Sequence, residues 1–248
     1  MSGVKSDYEL AAMRRSGAIL RDLLLYMQEI VREGITTAYL DAKALEFITL
    51  HNAYPSFKGY NGFPGAICVS IDDEVVHGIP GNRFLEEGML VKVDAGVLLN
   101  GYHTDAARTF EIGHVSAEKH KLATVCKECF FVGAEQLKNG ARLGDYGATV
   151  ANYVHMNGYT VVRELSGHGI GKNLHEDPNV FNFGEKGRGR RVSTGMTLAL
   201  EPMINLGARS VQDDPEDGWT IRTSDGSPSA HYENTVIITD TGVEIITL

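Results

Sequence analysis

The stretch MLVKVDAGVLLNGYHTDAARTF carries two β-like runs on either side of Asn100-Gly101, a dipeptide suited to the positive φ angles of a tight hairpin turn. With those two residues as the loop, Leu99 faces Tyr102, Gly96 faces Asp105 and Asp94 faces Ala107. Asp94 and Asp105 then become diagonal neighbours on one face, about 7 to 8 Å apart at Cα. Carboxylates at that spacing can close on a common cation. A turn-capping Asp94 and a solvated Asp105 are the plainer alternative.

Three further groups weigh toward the cation. In RELSGHGIGKNLHEDP, His168 stands among glycines whose missing side chains permit close approach of substrate or metal, and His175 follows on the same segment. Glu201 ends the apolar run GMTLALEPM, and Glu233 lies in the apolar, β-branched run SAHYENTVIIT. Acids in such places are costly unless paired or metal-bound. Neither segment supplies a nearby Lys or Arg, although a distant salt-bridge partner stays open. Asp94, Asp105, His168, Glu201 and Glu233 are therefore candidate ligands for metal.

These groups need elements to hold them. Ser6 and Glu9 form a capping-box pattern, after which Leu10, Met13, Ile19, Leu23, Leu24, Met27 and Val31 recur at helical spacing up to Gly34. A second helix is expected from about Thr37 to Asn52, followed by extended runs around Ile67 to Ile71 and Met89 to Asp94. The same order returns with a helix from Ser116 to Gly140, another from about Asp145 to Asn157, and β-rich segments to the end. With no repeat, low-complexity tract or linker, this order predicts one α+β domain with two pseudo-symmetric halves.

Composition narrows the class. The 248 residues are 43% hydrophobic and 22% charged, which suits a globular chain able to bury its own core. Apolar stretches are broken by charge before they could cross a bilayer, and the opening MSGVKSDYEL lacks a signal-peptide run. The expectation is a cytoplasmic protein with no membrane partner. A net charge of -9 speaks against phosphate-backbone binding, so no sequence-specific nucleic acid is expected. Cys68, Cys126 and Cys129 are too few for a disulfide framework, and a reducing compartment fits them. Cys126 and Cys129 match a redox spacing but sit in an amphipathic helix and are expected to be structural. The basic run Lys186 to Arg191 is expected to be a solvated loop, with transient contact to ribosomal RNA as a hypothesis. No GxSxG sequence supports serine catalysis.

In that order along the chain, EVVHGIP, VDAG with YHTDAARTF, SGHGIG with LHEDP, LALEPM and HYENT resemble the bacterial-type class I methionine aminopeptidases, over nearly the whole sequence. The resemblance implies a pita-bread fold, an antiparallel sheet with helices on its outer side, as a single catalytic domain over residues 1–248. It implies two divalent ions, with cobalt, manganese, iron and zinc all chemically suited to such donors. Asp94 would hold one with both oxygens, Asp105 and Glu233 would bridge, and His168 and Glu201 would complete the other. Glu201 would also carry the proton from the attacking water to the departing amine. His77 and His175 would contact the substrate backbone and the tetrahedral intermediate.

The implied partner is the N-terminal methionine of nascent polypeptides, with a small second residue preferred and the enzyme a monomer. Tyr60, Phe63, Cys68 and Trp219 would form the pocket for the thioether side chain; Tyr60 and Phe63 as ordinary core residues are the alternative. Phe57, Leu174 and His231 depart from residues usual in this family and mark where pocket details differ. Two rivals share the fold: a proline-specific peptidase, which normally carries an additional N-terminal domain, and a non-catalytic binding protein that has lost its ligands.

Overall fold

The computed structural model describes residues 3–248; Met1 and Ser2, the first two positions of the expected single domain, lie outside the described residues. Four helices carry the outer layer: α1 (Asp7–Ile30), α2 (Thr37–Leu50), α3 (Ala117–Ala134) and α4 (Leu143–Met156). The capping box at Ser6 is formed, with the Ser6 amide donating to Glu9 Oε2 over 2.9 Å. Every strand pair is antiparallel among the described residues.

Each helix pair covers its own apolar core. Leu20, Leu23 and Met27 of α1 and Leu40 and Ile48 of α2 bury against Val91, Val93 and Val97 of the Leu90–Leu99 strand. Val125 and Phe130 of α3 and Val150 and Val154 of α4 bury against Leu198, Leu200 and Val236. Two helices and a sheet thus recur in each half, as the order of sequence signals predicts. A smaller apolar cluster between them includes Phe57, Phe63, Cys68 and Leu174.

Helix ends differ modestly from the sequence expectation. α1 stops at Ile30 and α2 at Leu50, short of Gly34 and Asn52, which turn the chain with φ of 80° and 56°. α3 ends at Ala134 rather than near Gly140, because the chain must turn back there to place α4 alongside it. The contact is close: a Cβ on Gly133 would meet Val150 Cγ2 at 2.5 Å. α4 begins at Leu143, before Asp145, whose Oδ2 accepts from the Arg142 amide over 3.2 Å.

Two close contacts hold segments distant in sequence together. Lys92, fully enclosed, donates from Nζ to the carbonyl of Asp72 over 2.7 Å, and burial pushes its amine down to about 7. Gly17 of α1 lies against the C-terminal segment, where an added Cβ would fall 2.4 Å from the Ile246 carbonyl oxygen. Gly17→Ala is therefore expected to destabilise by about 1 to 3 kcal/mol through overpacking. A urea midpoint unchanged from the parent would contradict that contact.

Candidate metal centre

Asn100 and Gly101 turn the hairpin with φ of 51° and 81°, and the pairing runs as the sequence register predicts: Leu99 with Tyr102, Gly96 with Asp105, Asp94 with Ala107. The second half meets this hairpin at several residues, among them Asp105 with Thr235 and Thr109 with His231, and the crossing nearest the ligands is at Ala107. Ala107, the partner of Asp94, accepts at its carbonyl from the Glu233 amide over 3.0 Å and returns its own amide to the Glu233 carbonyl over 3.3 Å. The Thr197–Leu200 strand pairs Leu200 with Asn234, so Glu201 and Glu233 leave the ladder side by side. His168 pairs with Ala199 on the other edge of that strand. Four separate segments thereby deliver four carboxylates and an imidazole to one place.

Their surroundings are dry. Asp105 is 4% exposed, Glu233 2% and His168 6%. Burial pushes the Asp94 carboxyl up to about 7, and burial followed by the Asp94 charge raises Asp105 and Glu201 well above the usual carboxylate range. Glu233 is raised by burial and then by Asp105. Burial and the neighbouring His175 push His168 down to about 4. No Lys or Arg ion pair reaches these four carboxylates among the described residues. Arg108 comes close but gives its guanidinium to the Glu233 carbonyl, the Asn234 side chain and the Thr247 carbonyl, over 2.6, 2.8 and 3.0 Å.

The cluster fits a cation and little else. Asp94 Oδ1, Asp105 Oδ1 and Glu233 Oε1 are buried without a hydrogen-bond partner among the described residues, a costly state for acids that divalent metal relieves. His168 fixes the point further. Its Nδ1 lies 2.8 Å from the Gly169 carbonyl, which can only accept, so Nδ1 carries the proton. The lone pair of Nε2 then faces Glu201 Oε1 at 3.5 Å and Asp105 Oδ2 at 4.0 Å. A lone pair aimed at two carboxylates is unfavourable until a cation stands between them. Two groups of potential donor atoms, each within 4.8 Å of one another, share Glu233: Asp105 with His168, and Asp94 with His231.

The ligands open into a cavity of about 210 Å³. Its wall includes all the residues expected from sequence to hold the thioether, Tyr60, Phe63, Cys68 and Trp219, together with Phe57, Leu174 and Asn61. Phe63 meets Trp219 edge-on, ring centroids 5.2 Å apart. His77 and His175 line the same cavity. His77 holds a left-handed backbone (φ 61°), a strained state for a non-glycine residue that recurs at functional sites. His175 reaches Tyr60 Oη with Nδ1 over 2.9 Å, and its ring lies 4.2 Å from that of His168.

Every site residue expected from sequence therefore meets at one cavity. Sequence reasoning passed over Asn61, which no motif marks, and read His231 only as a change in pocket detail. His231 stands two places before Glu233, the β spacing that puts side chains on one face, and that was the available signal. Cys126 and Cys129 are buried in α3; Cys129 Sγ donates to the Cys126 carbonyl over 3.1 Å, a structural role. Among the described residues no helix is long and apolar enough to cross a membrane.

Residues 11–240 match the model of metallopeptidase family M24. The chain is 50% identical over 245 residues to a methionine aminopeptidase of Clostridium perfringens, covering 99% of this chain and 98% of that protein. It superposes on the crystal structure of the Rickettsia prowazekii methionine aminopeptidase with a TM-score of 0.98 at 37% identity, covering 100% of both chains. The prolidase of Pyrococcus furiosus shares the fold, with a TM-score of 0.81 at 21% identity, but this chain covers 65% of it.

Proposed function

The chain belongs to metallopeptidase family M24, among its methionine aminopeptidases, and from that premise we propose that Asp94, Asp105, His168, Glu201 and Glu233 hold two divalent ions beside a methionine pocket. The activity is metal-dependent removal of the N-terminal methionine. The observation that carries the ligand set is the His168 lone pair directed at two carboxylates, Asp105 and Glu201, that no Lys or Arg pairs among the described residues.

Divalent metal at this position would supply Lewis acidity and an ionisable water at neutral pH. The rest falls to the chain. Glu201 accepts a proton and returns it to the leaving amine, a task suited to a carboxyl whose affinity for protons burial has raised. His77 and His175 stand on the cavity wall where they can donate to an oxygen gaining charge on the scissile carbonyl. Burial pushes both imidazoles below the ordinary histidine range, so each acts as a neutral donor near pH 7. Phe63, Trp219, Cys68 and Tyr60 offer soft, polarizable contacts for a thioether. Carboxylate oxygens facing the cavity can accept hydrogen bonds from a free α-ammonium, which favours exopeptidase action.

A small second residue is favoured by the modest cavity, with Phe57 and Leu174 on its wall. The proposal extends to a monomer in the cytoplasm, a reducing compartment that suits three free cysteines. A transient ribosome contact through the exposed basic run Lys186 to Arg191 belongs to it as well. The deciding assay compares Met-Ala and Xaa-Pro peptides with chelated and metal-restored protein, alongside Asp105→Asn and His77→Ala. Cleavage of Met-Ala that vanishes on chelation, returns with metal and drops in both variants is expected. Metal-independent cleavage, or cleavage of Xaa-Pro peptides alone, would sink the assignment.

A further inference from the structure

His231 is a buried group that the proposed mechanism does not use. It is 1% exposed, yet neither Nδ1 nor Nε2 has a hydrogen-bond partner among the described residues. An imidazole with both nitrogens idle in a dry interior forfeits what it lost on leaving water. Its Nε2 faces Glu233 Oε2 at 3.7 Å and Glu201 Oε2 at 4.0 Å. Both separations are too long for an N–H···O hydrogen bond, which closes to about 2.9 Å. The shorter one, to Glu233, suits two donors around a common ion, which Asp94 can share. Atoms each about 2.1 Å from a metal and at the tetrahedral angle stand about 3.4 Å apart. His168 Nε2 and Glu201 Oε1, whose lone pairs already face each other, stand at a similar 3.5 Å.

Resting on the metal-centre reading above, the geometry points to His231 Nε2 as a further metal ligand, serving the ion held by Asp94 and Glu233. The centre then divides into two like halves sharing Glu233, Asp105 with His168 and Asp94 with His231, each with one nitrogen donor. Imidazole suits zinc, iron, cobalt and nickel, whereas an all-oxygen set suits manganese or magnesium. His231 thus turns an oxygen-only position into one that prefers borderline transition metals.

Cobalt-loaded protein gives a test that does not depend on turnover. Each imidazole bound to cobalt through Nε2 should show one strongly shifted, exchangeable Nδ1–H proton resonance. Two such resonances are expected in the parent. His231→Gln should delete one of them and weaken binding of the second cobalt ion at least about tenfold in chelator competition, while manganese binding changes less. A single shifted resonance in the parent, surviving in His231→Gln, would overturn the assignment while leaving the five-residue centre intact. Failure of the parent to bind cobalt at all would instead overturn the centre on which it rests. The count in the parent decides the matter even if the variant folds poorly.

Discussion

Glu201→Gln, compared with the parent at equal metal occupancy, is expected to lose about 10³-fold in kcat, within the range that a positioned proton carrier contributes. Glu201 follows the Thr197–Leu200 strand, so its main chain is held by the ladder to Asn234 while its carboxylate enters the cavity. Gln keeps the length and one coordinating oxygen but cannot take up a proton. A residue that merely filled space would tolerate that exchange. Metal content, measured on the assayed sample, separates loss of the proton carrier from loss of the ion. If the effect falls on kcat with little change in KM, the missing interaction belongs to the transition state. Near-normal turnover of fully loaded Glu201→Gln would remove the proton-carrier role.

Much of this site was legible because β structure is periodic. The Asn100-Gly101 turn fixed a register, and that register alone put Asp94 and Asp105 diagonally on one face. Helix order likewise announced two similar halves, through capping at Ser6 and apolar spacing along α1. What periodicity could not supply is contact between segments distant in the chain. Nothing local says that Ala107 exchanges hydrogen bonds with Glu233, yet this crossing joins the two halves' ligands. For Glu201, Glu233, His168 and the pocket residues, motif resemblance did the work that spacing could not. His231 shows the cost of leaning on resemblance: where the chain departs from its relatives, the motif is silent, and only the buried ring with two idle nitrogens draws notice. Asn61 was invisible for another reason. It sits in a short 3-10 turn with a left-handed backbone (φ 49°), and no side-chain pattern encodes its place on the cavity wall.

Stripping the metal is expected to open a stability gap that widens as pH rises from about 5 to 8. Burial pushes the Asp94 carboxyl up to about 7, against about 3.9 for an unfolded aspartate. Between those values the folded, metal-free chain keeps a proton that the unfolded chain has released. Its contribution is fully present below about pH 4 and is lost as pH climbs through 7. For Asp94 alone that loss is on the order of 4 kcal/mol across the window. Asp105, Glu201 and Glu233 are raised in the same direction and carry the decline to higher pH. Bound cations replace those protons, so the loaded protein escapes it. The buried imidazoles have the opposite sign: with His168 pushed down to about 4 and His231 to about 3, the folded state gains stability as pH rises toward the ordinary histidine value. Both rings are neutral above about pH 5 whether metal is bound or absent, so their slope cancels from the difference. Melting temperatures of loaded and stripped protein, read in parallel from pH 5 to 8, should therefore diverge. Parallel or converging curves would mean that the carboxylates are not crowded together without charge compensation, and the case for a cation among them would lose its electrostatic basis.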